Sequence, residues 1–459
     1  MKHLLSLITP TLPRLQASGR QAIFCALAFL PFALFSSPVQ TASPSMPETL
    51  DLRSAIGFAL QNNFTIRQAR ERIRQQEGVL IEVTAREIPN VSANGSYQAN
   101  DWAISQLFPA SDRAWQINLT ASQVIYAGGG VRAAVKSSKL ARDAALLDLE
   151  ATINDAMLAT RTAFYNVLLA REKITVQEAN LELLQSQLKT ATDRHRAGAA
   201  SSFEQLRAEV AVSNAKVPLI TARNDYRLAI EALRQVLGLT SSPHDSAAKA
   251  LELVGTLEFS PASFDLQTAF DAARANRPDL QRLTKLAASR DESVISARSS
   301  YYPSVSAFGG WSLRKGLTNS FGDSADGWLA GLQADWKIFD GRATAGRVAQ
   351  ARSQAEQSRL ALTEAQLSAD VEVRRAFSQW QEATELAEAS KKVVEQATES
   401  VRLATVSYKS GANTQLDVLQ AQVELTTART NQIQAYYTYN VAVAALRKAM
   451  GMADEFVAK

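Results

Sequence analysis

Six residues after Gly198 stands Glu204, and six residues after Gly411 stands Asp417. The surrounding stretches, HRAGAASSFEQLRAEVAVSNAK (195–216) and YKSGANTQLDVLQAQVELTTAR (408–429), share one plan. Ala199 follows the first glycine; Ala412 and Asn413 follow the second. Ser201 and Ser202, or Thr414, then precede the acid. This reads as a helix that ends on a left-handed residue and a new helix that starts on a hydroxyl cap. A carboxylate in that first turn complements the helix dipole or, when exposed, draws cations. Neither role is covalent chemistry.

The rest of the chain offers little reactive chemistry. The only cysteine is Cys25, and the histidines are His3, His195 and His244. Isolated histidines do not make a metal cluster, and a mature chain without thiol has no cysteine nucleophile. The glycine-rich stretches GGGVRAAVK and DGRATAGR lack the phosphate-loop pattern. No catalytic, cofactor-binding or metal-binding residue is therefore predicted, and the chain is not read as an enzyme. Forty-nine Lys and Arg are scattered among 45 Asp and Glu, giving a net charge of only +4. No basic stripe for nucleic acid results.

Hydrophobic residues make up 46% of the chain but aromatics only 7%, so the apolar content is largely that of helix formers. Residues 1–42 read as a secretory signal peptide. Lys2, Arg14 and Arg20 precede an apolar run from Ala22 to Phe35 that is too short, and too broken by Pro31, to span a membrane. Phe24 before Cys25 makes a poor lipidation site, so the mature chain is expected to start near Ser43 without lipid.

The remainder is a tandem duplication. TLDLRSAIGFALQNN (49–63) corresponds to SFDLQTAFDAARANR (263–277) at an offset of 214, as Pro89 does to Pro303. Gly128 and Gly341, the two turn glycines, and Gly238 and Gly451 all correspond at 213. The expected division is a first repeat at 43–240, a linker or equatorial segment at 241–262, a second repeat at 263–452 and a tail at 453–459.

Each repeat orders its elements alike. A short helix begins near Leu52 or Leu266, and a longer one stops before Pro89 or Pro303. Strict alternation follows. Val91, Ala93, Gly95, Tyr97 and Ala99 are interleaved with polar residues, and so are Trp115, Ile117, Leu119 and Ala121. The second repeat offers Val305 to Leu313 and Trp328 to Ile338. Period two predicts strands with one greasy and one wet face. Long helices are then predicted over 131–195 and 342–408, each roughly 100 Å at 1.5 Å per residue, with return helices over 203–237 and 414–450. Pro218 marks a possible kink in the first return helix.

Five of the six tryptophans (102, 115, 311, 328 and 336) lie in or beside the strands, as in a membrane barrel with aromatic girdles. Four strands cannot close a barrel, and lipid tolerates no open sheet edge. Several chains must share it: two would make eight strands, three would make twelve. The segments 100–112 and 315–327 are expected as the outward loops.

LDLRSAIGFALQNN with FDLQTAFDAARANRPDL, IPNVS with YPSVS, VIYAGG with IFDG, and above all YKSGANTQLDVLQAQ resemble the outer-membrane efflux protein (TolC) family over about residues 48–452. The resemblance implies a mainly α chain with a membrane β-barrel portion. It implies a homotrimer in which one twelve-stranded β-barrel in outer-membrane lipid continues into a long periplasmic α-helical barrel. It also implies location in the outer membrane of a Gram-negative bacterium. The implied function is the exit duct of a tripartite efflux or type I secretion system, working with a periplasmic adaptor and an inner-membrane RND-type or ABC-type transporter. In the family the hairpin tips form the periplasmic entrance. Asp417 then matches the acidic aperture position, Glu204 its counterpart in the first repeat, and Gly198, Ala199, Gly411, Ala412, Asn413 and Thr414 the tip turns that meet the adaptor. Arg194, Arg196, Arg207 and Lys409 are candidates to pair with the acids across tips. Gln420 stands where the family prototype has a second acid. Drugs, metals, proteins and polysaccharide all suit a wide duct, and the pump sets the choice. The alternative reading is a trimeric coiled-coil surface adhesin.

Overall fold

A computed structural model describes residues 49–101, 103, 113–239, 252–315 and 322–456. The expectations placed on the signal peptide, Ser43, Cys25, His244, Trp102 and most of the two outward loops lie outside these residues.

Each repeat begins on an aspartate cap. The Asp51 carboxylate accepts from the Ser54 N–H (2.9 Å) to start α1 (Leu52–Asn62), and Asp265 accepts from the Thr268 N–H (2.8 Å) to start α5 (Leu266–Asn276). Helices α2 (Phe64–Thr84) and α6 (Pro278–Arg298) follow, each ending in a short 3-10 turn before its proline. Pro278 opens α6, where its missing N–H has no helical partner to lose. The strands come next: β2 (Asn90–Ala99) and β3 (Arg113–Ala127), then β5 (Ser304–Lys315) and β6 (Ser324–Asp335). Helices α3 (Gly130–Arg196) and α7 (Ala343–Lys409) are 67 residues each, and α4 (Ser202–Leu237) and α8 (Gln415–Ala449) return. Helix α4 runs unbroken through Pro218. The short strands β1 (Thr49–Leu50) and β4 (Glu252–Leu253) pair in parallel, so the segment between the repeats contributes a strand that composition did not suggest.

The four long strands form one antiparallel sheet in the order β2-β3-β5-β6. The register gathers the alternating apolar residues on one face. Tyr97 faces Trp115, Leu119 faces Trp311, and Trp311 faces Trp328. No sheet residue is buried, and Trp328 remains 78% exposed. Two sequence expectations need correction. Strand β6 starts at Ser324, because Asp326 and Gly327 pair with Leu313 and Ser312, so the predicted outer loop shortens. It also ends at Asp335. Trp336 lies beyond it and donates its indole N–H to the Tyr301 carbonyl (3.1 Å), while Ile338 is outside the ladder. Alternation alone does not mark where a pairing partner runs out.

The helices form a layer whose order follows from their packing. On the barrel side α2 packs on α3, α3 on α6, and α6 on α7; toward the tips α4 packs on α3, α3 on α8, and α8 on α7. Two equivalent cores clamp the layer midway. Ile56, Phe164, Leu168 and Leu233 build the first; Ala269, Val373, Trp380 and Leu446 build the second. Each core is closed by a glycine with positive φ. A Cβ on Gly238 (φ 74°) would lie 2.4 Å from the Asn62 carbonyl oxygen, and one on Gly451 (φ 69°) 2.8 Å from the Arg277 nitrogen. Only glycine allows that approach of backbone to backbone.

Candidate functional site

The two hairpin tips are the same turn built twice. After α3, the Gly198 N–H donates to the His195 carbonyl (2.9 Å) and the Ala199 N–H to Arg194 (2.8 Å), with Gly198 at φ 73°. After α7, Gly411 (φ 79°) donates to Tyr408 (3.1 Å), Ala412 to Ser407 (2.9 Å), and Asn413 also to Ser407 (3.3 Å). Both are Schellman closures, which satisfy carbonyls left over at a helix end. A Cβ would meet nothing within 4 Å at either glycine, so the left-handed backbone alone selects it.

The hydroxyls cap the return helices as their spacing predicts, but the two acids differ. Ser201 accepts from the Glu204 N–H (3.3 Å), and Thr414 accepts from the Asp417 N–H (3.4 Å). Asp417 reciprocates: its Oδ2 accepts from the Thr414 N–H and hydroxyl, both at 2.8 Å, completing a capping box. Those two hydrogen bonds, the backbone one foremost, hold the exposed carboxyl below its ordinary pKa. It carries a full charge at neutral pH. Glu204 makes no such return contact; its Oε2 is enclosed without a hydrogen-bond partner among the described residues. The acids sit on α4 and α8, with α3 between them.

Within the chain, no described ion pair joins these acids to Arg194, Arg196, Arg207 or Lys409. The Arg194 guanidinium instead lies 4.9 Å from the centre of the Tyr408 ring, linking the end of α3 to the end of α7. His195 bridges its own turn, its Nδ1 being 3.0 Å from the Ala200 carbonyl oxygen. At the second tip a groove of about 800 Å³ runs between α7 and α8, lined by Glu395, Glu399, Asn413, Asp417, Gln420 and Glu424. Gln420 donates to Glu424 (3.1 Å), so an acid does stand one further turn along. The Tyr408 contact and the Glu424 position escaped sequence reasoning; spacing of four along α8 was the available signal for the second.

Thr414→Ala removes one half of the capping box and is expected to cost about 1 kcal/mol of local stability. Hydrogen exchange should quicken at amides 415–418 and stay unchanged in the cores. Uniform protection in the variant would show that the box does not hold the tip.

A family model described as "outer membrane efflux protein" matches residues 55–239 and 269–452, one segment per repeat. The chain is similar to nodulation protein T of Rhizobium leguminosarum bv. trifolii, with 25% identity covering 89% of this chain and 87% of the relative. It is similar to the pyoverdine export outer membrane protein OpmQ of Pseudomonas putida, with 24% identity covering 93% and 92%. Among solved structures, the CmeC outer membrane channel of Campylobacter jejuni matches with a TM-score of 0.77, at 18% identity over 87% of this chain and 85% of that one.

Proposed function

The chain belongs to the outer-membrane efflux protein family and is an outer-membrane exit duct; we propose that it works as a homotrimer whose copies close head to tail. The observation that carries this reading is that every layer is open at the same two ends. In the sheet the free strands are β2 and β6; in the helical layer the end elements are α2 or α4 on one side and α7 on the other. One edge thus belongs to the first repeat and the other to the second. Both helical edges carry exposed apolar residues at coiled-coil spacing. Phe203, Val210 and Val217 lie on α4, and Leu360, Leu367 and Val371 on α7. A heterologous contact between these edges closes into a ring, and the exposed apolar face of the sheet then meets lipid without a bare strand edge.

The duplication also supplies the register of the contact. Within the chain Thr120 of β3 faces Gly310 of β5. Shifted by 213 and 214, that pair becomes Gln333 of one protomer against Ser96 of the next. Ser96→Cys with Gln333→Cys, in a mature chain free of other thiols, should yield covalent trimers on a denaturing gel, and neither single variant should. Conductance across a planar bilayer tests the duct itself. Absence of both crosslink and conductance would favour a structural coiled coil.

Further elements of the reading follow the family resemblance. Residues 1–42 are removed on export, the repeats span 43–240 and 263–452, and the tips bind a periplasmic adaptor that couples to an inner-membrane RND-type or ABC-type transporter. Three Asp417 carboxylates then face one another at the entrance, with Glu204 behind them. The name of the Pseudomonas putida relative, an export protein, supports the assignment to efflux.

A further inference from the structure

We infer that the junction of β3 with α3 in the first repeat seats the phosphate of an anionic phospholipid, just below the apolar face of the sheet. The inference rests on the reading that this face meets lipid. A groove of about 520 Å³ lies at the junction, lined by Arg86, Glu87, Gln123, Ile125, Tyr126 and Arg132 among others. Arg86 comes from the 3-10 turn before β2 and Arg132 from the first turn of α3. Both are exposed, and neither has an ion-pair partner among the described residues. Glu87 is the one acid on the described wall, so the groove is net positive.

The other wall is apolar and continuous with the sheet face. The β3 ladder slips between Val124 and Tyr126, which turns Ile125 outward at 62% exposure. Tyr126 resumes the register opposite Val305, on the apolar face. Passing down the sheet, a lipid meets Leu119, then Tyr126, then two guanidinium groups. That is the order of acyl chain, interface and phosphate in a bilayer leaflet.

The second repeat is an internal comparison. At the same offsets Arg86 becomes Ser300 and Arg132 becomes Ala345. Ala127 becomes Asp340, whose carboxylate accepts from the Thr344 N–H (2.8 Å) at the start of α7. One scaffold therefore occurs twice with its charges placed differently: the second copy lacks the Arg86–Arg132 pair and carries Lys337 and Arg342, at the positions of Val124 and Gly129, beside Asp340. A trimer presents three grooves with the paired arginines.

The test uses the full-length trimer in nanodiscs of phosphatidylcholine and phosphatidylglycerol, with lipid retained after delipidating washes counted by mass spectrometry. Wild type should enrich phosphatidylglycerol about twenty-five-fold, taking roughly fivefold per arginine. Arg86→Gln with Arg132→Gln should bring the ratio near one, whereas Arg352→Gln with Arg375→Gln, which removes two charges elsewhere, on α7, should leave it. Added inorganic phosphate should not displace the lipid. Equal enrichment in the double variant, displacement by free phosphate, or no enrichment together with a less stable double-variant trimer would each overturn the inference, the last by placing a neighbouring copy in the groove. Bilayer conductance separates the outcomes: a conducting protein without lipid preference sinks this inference alone, and a non-conducting wild type sinks the duct.

Discussion

Asp454→Asn is expected to destabilise the protein by about 3–5 kcal/mol, the cost of leaving a buried charge without its partner. Arg161 reaches Asp454 with two hydrogen bonds, Nε to Oδ2 at 2.6 Å and Nη2 to Oδ1 at 2.9 Å. Their side chains are only 12% and 9% exposed, so water screens the pair weakly. The contact ties the segment after α8 to the core of the first repeat. It also orders Phe456, whose ring lies between Arg53 and Arg161 at 5.5 and 5.2 Å. Residues 453–456, part of the expected tail, thus act as a strap across the repeats. Burial pushes the Asp454 carboxyl up, but the Arg161 hydrogen bond and the Phe456 N–H together hold it below its usual range. A carboxyl that titrates lower in the folded protein than in the unfolded chain adds stability in full above the unfolded pKa of about 4, and loses it as pH falls through the folded value. The variant should therefore show a lower denaturant midpoint at neutral pH and a shallower further loss below about pH 4. Replacing both partners, Arg161→Met with Asp454→Leu, should recover part of the loss. A single variant as stable as wild type would mean that the strap is not anchored there.

If Asp417 lines the entrance of the proposed trimer, Asp417→Asn removes a ring of three charges and is expected to lower cation selectivity and to weaken block by trivalent cations about tenfold or more. The capping box sharpens this experiment. Asparagine retains an oxygen able to accept from Thr414, so the turn keeps its shape while the charge disappears. Glu204→Gln should do less, because that side chain is partly enclosed and its Oε2 does not face water. Single-channel recordings with a trivalent blocker decide between the two acids. Unaltered selectivity and block in Asp417→Asn would leave Asp417 as a helix-start acid only.

The second repeat holds a charged counterpart to a neutral contact in the first. Asn63 caps α2 and donates to the Val236 carbonyl (2.7 Å). Its equivalent, Arg277, reaches the Ala449 carbonyl and also pairs with Asp279 (2.8 Å) and Glu372 (2.7 Å). Lys448 then joins Glu372 to Asp155 of the first repeat. Alignment of the repeats places Asn63 and Arg277 together, yet says nothing of the network around the arginine.

Much of the architecture was legible in the residues alone. The doubled landmarks gave the duplication, period two gave the strands and their apolar face, and the glycines at 198 and 411 gave the tips. These features are local. A sign of φ, a missing N–H or a repeat of two or seven is written into neighbouring residues, and each copy confirms the other. Tertiary structure alone decided which elements are neighbours. The order α4, α3, α8, α7 and the free strands β2 and β6 follow from packing among segments hundreds of residues apart. So do the Arg161–Asp454 strap and the Arg194–Tyr408 contact. Two copies of one local pattern fold alike, but they meet different surroundings. Their charges therefore diverge where the repeats touch each other, as Asn63 and Arg277 do.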